Sequence, residues 1–172
     1  MKEDLDIRQS IMELQTMMLH GVEEGTISDD SDQTELKHHF TPLDEDYGCS
    51  TYARELFMPK GMVIVGKLHK KAHLTFLMKG TMLVVSENGG NQRLTGPTTF
   101  VSPAGVKRAF YIEEDATLVC VHLTKETSEE NLDKVEEEVI SPTYEAMGLE
   151  EPDMAGLNRF LSNSSVDTET KE

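Results

Sequence analysis

The chain has 172 residues, of which 37% are hydrophobic, and it carries a formal net charge of −16 at pH 7. This length suits one folded domain with extensions and leaves little room for two. The negative charge disfavours nonspecific binding to nucleic acid or to an anionic membrane, so we expect neither as a partner. Cys49 and Cys120 provide no disulfide framework and favour a reducing compartment.

The first predicted element is an amphipathic helix over residues 4–20, within an N-terminal segment 1–22. Its apolar seam consists of Ile7, Ile11, Leu14 and Met18. A seam of two heptads is marginally stable alone, so the helix needs a partner. That partner is either its own domain or a contact with another subunit or a host protein, and we predict a homo-oligomer, either a dimer or a trimer.

The same segment bears on cellular location. It starts with acidic residues and lacks the cationic start and apolar run of a signal peptide. No stretch of the sequence approaches the ~20 apolar residues that span a bilayer. These features predict a cytoplasmic protein, or an intracellular product that is later packed into a particle such as a virion.

Residues 23–50 are rich in acidic residues and poor in large apolar side chains, which predicts an acidic linker. The acidic runs lack the alternating oxygen ligands and final glutamate of a calcium-binding loop, so a solvated spacer is the preferred interpretation. His38 and His39 also lie here. Adjacent residues of an extended chain point in opposite directions, which argues against one metal ion using both.

Residues 51–125 show short apolar segments separated by turn residues, a pattern typical of a β-sandwich or small barrel. Residues 88–91, Asn-Gly-Gly-Asn, are a strong hairpin signal. The predicted strands are 52–58, 61–68, 74–79, 81–87, 92–94, 98–101, 108–112 and 117–123.

Residues 126–161 are predicted to be helical. Leu132, Val135 and Val139 share one face of a first helix, which Thr127 or Ser128 can cap and which ends before Pro142. A second short helix is predicted over 153–161. The polar tail, residues 162–172, is predicted to be disordered.

The central stretch 61–80 holds two histidines in a polar bend between two predicted strands. Its spacing resembles the first motif of the cupin family, with the frame falling on Gly61, Lys67, His69, His73 and Gly80. Residues 96–108 resemble the second cupin motif, with Arg108 at its histidine position. The resemblance implies a mainly β fold, a cupin-type barrel (double-stranded β-helix or jelly-roll), with an N-terminal helix and a C-terminal helical extension.

A metal site is one interpretation of the histidines. On a straight strand His69 and His73 would lie ~13 Å apart at ~3.3 Å per residue, so residues 70–72 must bend if both are to bind one ion. His122, on the last predicted strand, is a possible third ligand. The ion would be divalent, with iron, zinc, manganese and nickel as candidates. The cationic neighbours Lys67 and Arg108 count against such a site.

An anion site is the alternative. Lys67, His69, His73 and Arg108 in one barrel mouth would suit a carboxylate, a phosphate or a nucleotide-sugar pyrophosphate. Metal-free cupins that epimerise nucleotide sugars use a histidine base together with an orienting acid and a proton donor. The candidates for these two roles are Glu55, Asp115, Tyr52 and Tyr111.

The functional prediction is a binding or structural protein without enzymatic activity, whose barrel mouth holds a small anion or a weakly bound metal ion. A metal-dependent dioxygenase and a metal-free nucleotide-sugar epimerase are the alternatives. The chain also resembles small cupin-like proteins of tailed bacteriophages in the segments 57–61, 66–69 and 100–108. That resemblance implies a virion-associated or host-manipulating role.

Overall fold

A computed structural model describes residues 2–87 and 89–164. Within these residues the chain forms a mainly antiparallel β structure with helices at both ends. The helices are α1 (Lys2–Glu23), α2 (Leu132–Val139) and α3 (Ala155–Ser164). The strands are β1 (Glu35–Phe40), β2 (Ser50–Met58), β3 (Val63–Val65), β4 (Leu68–His69), β5 (His73–Ser86), β6 (Gly90–Thr95), β7 (Thr98–Ser102), β8 (Arg108–Thr124) and β9 (Ile140–Ser141).

Two long strands, β5 and β8, organise the fold, and each replaces two shorter strands of the prediction. They pair with each other along nearly their whole length, with register shifts between Leu77 and Met82. The sequence prediction placed strand ends at Gly80 and at residues 113–115. These positions are irregularities inside continuous strands, because the partner strand continues the hydrogen bonding on either side of each bend.

The bends divide the structure into two halves that pack against each other. In one half β8 pairs with β2, β2 with β1, and the first part of β5 with β7. In the other half β8 pairs with β3 and the second part of β5 pairs with β6. The buried side chains of Met58, Leu77, Met82 and Ile112 come from both halves and form one core. The predicted mainly β fold with helices at both ends is therefore confirmed.

Strand β1 corrects the interpretation of residues 23–50 as a linker. Glu35–Phe40 pairs antiparallel with β2 over its whole length. The inward positions Leu36, His38 and Phe40 alternate with three polar residues, which is a strand pattern. The pattern is short and lies among acidic runs that dominate the local composition.

Helix α1 lies on its own barrel, contacting β5 and β3. The predicted seam faces the barrel, with Ile11 only 2% exposed. The sequence left two partners open for the seam, its own domain or another protein. The structure therefore shows that the seam packs on the chain's own domain. Met17 and Leu19 are exposed, and because they are two positions apart they flank the seam on different sides of the helix.

The C-terminal extension also packs on the barrel. Ser128 Oγ accepts a hydrogen bond from the backbone N–H of Glu130, as a helix cap does, at the start of a 3-10 turn that leads into α2. Val135 and Val139 of α2 are buried against Tyr52. Helix α3 extends to Ser164, into the segment that was predicted to be a disordered tail. The rest of that segment, residues 165–172, lies outside the described residues.

Among the described helices, none combines the length and the apolar character that crossing a bilayer requires.

Candidate metal and anion site

A cavity of about 450 Å³ opens between the two halves of the barrel. One side is covered by α2, whose Leu132, Val135 and Val139 face it. The cavity wall is apolar on the side of Leu56 and Phe110 and polar where β4, β5 and β8 meet. The four residues that the sequence suggested for ligand binding, Lys67, His69, His73 and Arg108, all line this cavity.

Three histidines converge at the polar side of the cavity. His69 comes from β4, His73 from the start of β5 and His122 from β8. The ring centroid of His73 lies 4.3 Å from that of His69 and 4.3 Å from that of His122. One nitrogen from each ring lies within 4.8 Å of the other two. The structure thus brings together the three residues that the sequence named as possible metal ligands.

The local backbone explains why the rings meet. The chain bends at Lys70 and Lys71, as the spacing of His69 and His73 required. The backbone of His69 is fixed from two sides: its carbonyl accepts a hydrogen bond from Gly105 N at 2.9 Å, and it pairs with Ile140 of β9. The C-terminal extension therefore helps to position a site residue more than 60 positions earlier in the chain.

Burial keeps these imidazoles neutral. It is the main cause that lowers the pKa of His69 to about 3 and that of His122 to about 4, and the repulsion from a protonated His73 adds to both shifts. Burial also lowers the pKa of His73, against the opposing effect of a hydrogen bond to the carbonyl of Lys71. Neutral imidazole is the form that binds a metal ion.

The hydrogen bonding of the rings also fits metal coordination. His73 Nδ1 lies 3.3 Å from the carbonyl oxygen of Lys71, which can only accept a proton, so the other ring nitrogen keeps its lone pair. Within residues 2–87 and 89–164, the rings of His69 and His122 have no hydrogen-bond partner. Metal–nitrogen bonds of ~2.0–2.1 Å place ligand atoms at most ~4.2 Å apart, so closing on an ion needs movements below ~1 Å.

Two cationic side chains from the cupin-like motifs differ in their surroundings. Lys67 forms an ion pair with Glu136 of α2 across the mouth of the cavity, and both side chains are largely exposed. Arg108 is half-buried, donates a hydrogen bond to Ser102 Oγ at 3.1 Å and lies over the ring of Phe100. Burial lowers the pKa of Arg108.

Of the four candidates for acid–base chemistry, Tyr52 lies at the histidines, with its ring stacked on that of His122 and the centroids 6.3 Å apart. Tyr52 lines the cavity, and its hydroxyl lies 2.8 Å from His38 Nδ1. Glu55 instead bonds Lys37 and His39, and Asp115 accepts a hydrogen bond from the backbone of Lys60. Tyr111 is 43% exposed. An epimerase arrangement would therefore lack the orienting acids that the sequence suggested.

Arg54 is a site residue that the sequence analysis missed. It lies on β2, and the inward positions of that strand are Tyr52, Arg54, Leu56 and Met58, all of which line the cavity. The available signal was one charged residue among apolar residues at alternating positions of a predicted strand.

Fold and site together define a class: a small antiparallel β barrel with three histidines and two arginines facing one cavity. No family model matches the chain. No curated protein matches it either.

Solved structures give distant likenesses. The cupin domain of Cnp3 from Schizosaccharomyces pombe is 21% identical with a TM-score of 0.42, covering 59% of this chain and 66% of that one. KdgF from Halomonas sp. is 16% identical with a TM-score of 0.44, and the match covers 60% of this chain and 88% of KdgF. Ectoine synthase from P. lautus is 10% identical with a TM-score of 0.45, and the match covers 60% of this chain and 72% of the synthase. Likenesses at this level support no argument about function.

Proposed function

We propose that the protein is a binding protein that holds a divalent transition-metal ion through His69, His73 and His122. The observation that carries the proposal is the convergence of three neutral imidazoles, with ligand atoms within 4.8 Å of one another. Imidazole nitrogen suits zinc, iron and nickel. A bound ion would supply a Lewis acid beside the cavity.

The cationic neighbours weigh less against this site than the sequence suggested. Glu136 pairs with Lys67 and offsets its charge at the cavity mouth. Arg108 remains a positive charge near the histidines, and it favours a site in which an anion binds together with the metal ion.

Metal content tests the proposal directly. We expect gently purified wild-type protein to hold one metal ion per chain, measured by elemental analysis. The variants His69→Ala and His122→Ala should bind zinc at least about 100-fold more weakly in a competition titration, because even outer-shell changes typically cost 10–100-fold.

His39→Ala is the matched control, because His39 is an exposed histidine that bonds Glu55 outside the cavity. It should bind zinc like the wild type. Equal zinc affinity in His39→Ala, His69→Ala and His122→Ala would contradict the metal site.

A metal-dependent enzyme is the second candidate. It is favoured by the cavity beside the histidines, whose volume of about 450 Å³ lies in the range of small-molecule sites. Oxygen uptake by the iron-loaded protein with a small organic acid, absent in His122→Ala, would favour this candidate over a purely binding role.

We also propose that the protein forms a homo-oligomer through the exposed apolar side chains that flank the buried seam of α1. The barrel occupies the seam around Ile11, whereas Met17 and Leu19 remain 52% and 58% exposed. We expect sedimentation to give a dimer or trimer for the wild type and a monomer for Met17→Glu/Leu19→Glu.

Tyr47→Glu is the control for that experiment, because Tyr47 is 84% exposed in a loop away from α1. A wild type that sediments as a monomer would refute the oligomer. An oligomer that survives the double substitution would place its interface elsewhere.

A relationship to tailed-bacteriophage proteins, and a location in the cytoplasm or in a virion, stay predictions from the sequence.

A further inference from the structure

Two arginines face the cavity without a carboxylate partner among the described residues. Arg54 and Arg108 both line it, and neither forms an ion pair with any residue in the part of the chain that the structure describes. By contrast, Arg8 bonds Glu87 and Arg93 bonds Glu113. The chain has 32 acidic residues against 16 Lys and Arg, so acidic partners are plentiful. Two unpaired guanidinium groups in one cavity therefore indicate a site for an anion.

The two arginines act on the same region of the cavity from different strands. Arg54 lies on β2 and Arg108 at the start of β8, and both side chains line the cavity beside His69. The hydrogen bond to Ser102 and the contact with Phe100 restrain Arg108. Glu136, a carboxylate at the cavity mouth, is already paired with Lys67.

The apolar part of the cavity lining determines the rest of the ligand, and it begins two residues along β2 and β8 from the arginines. Leu56, Ile64 and Phe110 belong to it, and these side chains offer no hydrogen bonds. A highly hydrated ion such as phosphate would leave this lining unused. A ligand that combines an anionic head with an apolar body would use both the arginines and the apolar lining beside them, and small-molecule sites commonly combine an apolar lining with a few polar groups.

We propose that the cavity binds a small organic carboxylate, with its carboxylate between Arg54 and Arg108 and its apolar body against Leu56, Ile64 and Phe110. The inference deepens the proposed function, since it uses the cavity beside the three histidines. It does not require the metal ion, because the arginines supply the charge.

A matched pair of probes tests the charge requirement. Benzoate and benzamide have nearly the same shape, but only benzoate is an anion. We expect benzoate to raise the melting temperature of the wild-type protein in proportion to RT ln(1 + [L]/Kd), and benzamide to have no effect. Inorganic phosphate should stabilise the protein less than benzoate does.

Arginine variants test the position of the anion. Arg54→Met and Arg108→Met keep much of the side-chain volume and remove the charge, and each should weaken benzoate binding by about tenfold or more. Arg93→Met is the control, because Arg93 pairs with Glu113 at the surface and should leave benzoate binding unchanged. The wild-type comparison of benzoate with benzamide stands even if one variant fails to fold.

The experiment is run on chelator-treated and on zinc-loaded protein, so that the two proposals can fail separately. Benzoate binding that depends on the arginines, in a protein that never binds zinc, would support the carboxylate site and refute the metal site. Zinc binding without any benzoate effect would support the metal site and refute the carboxylate site. Equal stabilisation by benzoate and benzamide, or stronger stabilisation by phosphate, would overturn the carboxylate proposal.

Discussion

Replacing Glu87 by alanine should lower the free energy of unfolding by about 3–5 kcal/mol, the usual cost of removing one partner of a buried ion pair. For a chain of this size, that loss corresponds to a fall of about 6–20 °C in melting temperature. Calorimetry or chemical denaturation of the wild type and Glu87→Ala measures the effect.

The expected effect follows from how Glu87 connects three parts of the chain. Glu87 follows β5 and is 5% exposed. One of its oxygens lies 2.8 Å from Nη2 of Arg8 on α1, and the other accepts a hydrogen bond from the hydroxyl of Tyr144 at 2.8 Å. Arg8 also lies over the ring of Tyr144 and donates to the carbonyl of Glu150. Without the carboxylate, a buried guanidinium and a buried phenol each lose a partner.

The Arg93–Glu113 pair is the matched control, because Arg93 is 60% exposed and Glu113 is 28% exposed. Glu113→Ala should cost less than about 1 kcal/mol, as exposed pairs usually do. The double variant Arg8→Met/Glu87→Met should recover part of the loss, since no charge is then left buried. A cost for Glu87→Ala as small as that for Glu113→Ala would show that the pair does not anchor α1.

Replacing Gly80 by alanine should cost about 3 kcal/mol or more, from backbone strain together with a steric clash. Gly80 has φ +91°, a conformation that residues with a Cβ rarely adopt. An added Cβ would lie 2.4 Å from the carbonyl oxygen of Asp115 and 2.6 Å from the Cα of Ala116. Both atoms belong to the backbone of β8, so relief requires the two long strands to separate at their bend.

Gly61 provides a close control for this substitution. It has the same φ of +91°, but an added Cβ would meet no atom within 4 Å. Gly61→Ala should therefore cost only the backbone strain, about 1–2 kcal/mol. The difference between the two variants in chemical denaturation measures the close approach of β5 and β8. Equal costs for both would refute a tight contact at Gly80.

The sequence by itself determined the elements whose signals are local. Alternating apolar residues and turn residues predicted most of the strands, and apolar spacing predicted the terminal helices. The motif spacing led to His69, His73 and Arg108 as inward-facing residues. The requirement for a bend between the two histidines also followed from the sequence, because strand geometry alone keeps them ~13 Å apart.

Tertiary structure decided the features that depend on partners distant in the chain. The residue pairs Arg8–Glu87 and Lys67–Glu136 are 79 and 69 positions apart. No local pattern indicates which acid a given base will meet. The joining of predicted strands into β5 and β8 depended in the same way on the partner strand that spans each bend.

The residues of the candidate site also divide into those that the sequence identified and those that only the tertiary structure identified. His122 could be named from the sequence as a third ligand, but its approach to His69 depends on the pairing of β8 with β5 and on the attachment of β4 to β9. The position of Arg54 in the site became known only from the folded chain. A charge on an inward strand position can pair with an acid or remain free, and only the contacts around the cavity show that no described carboxylate reaches it.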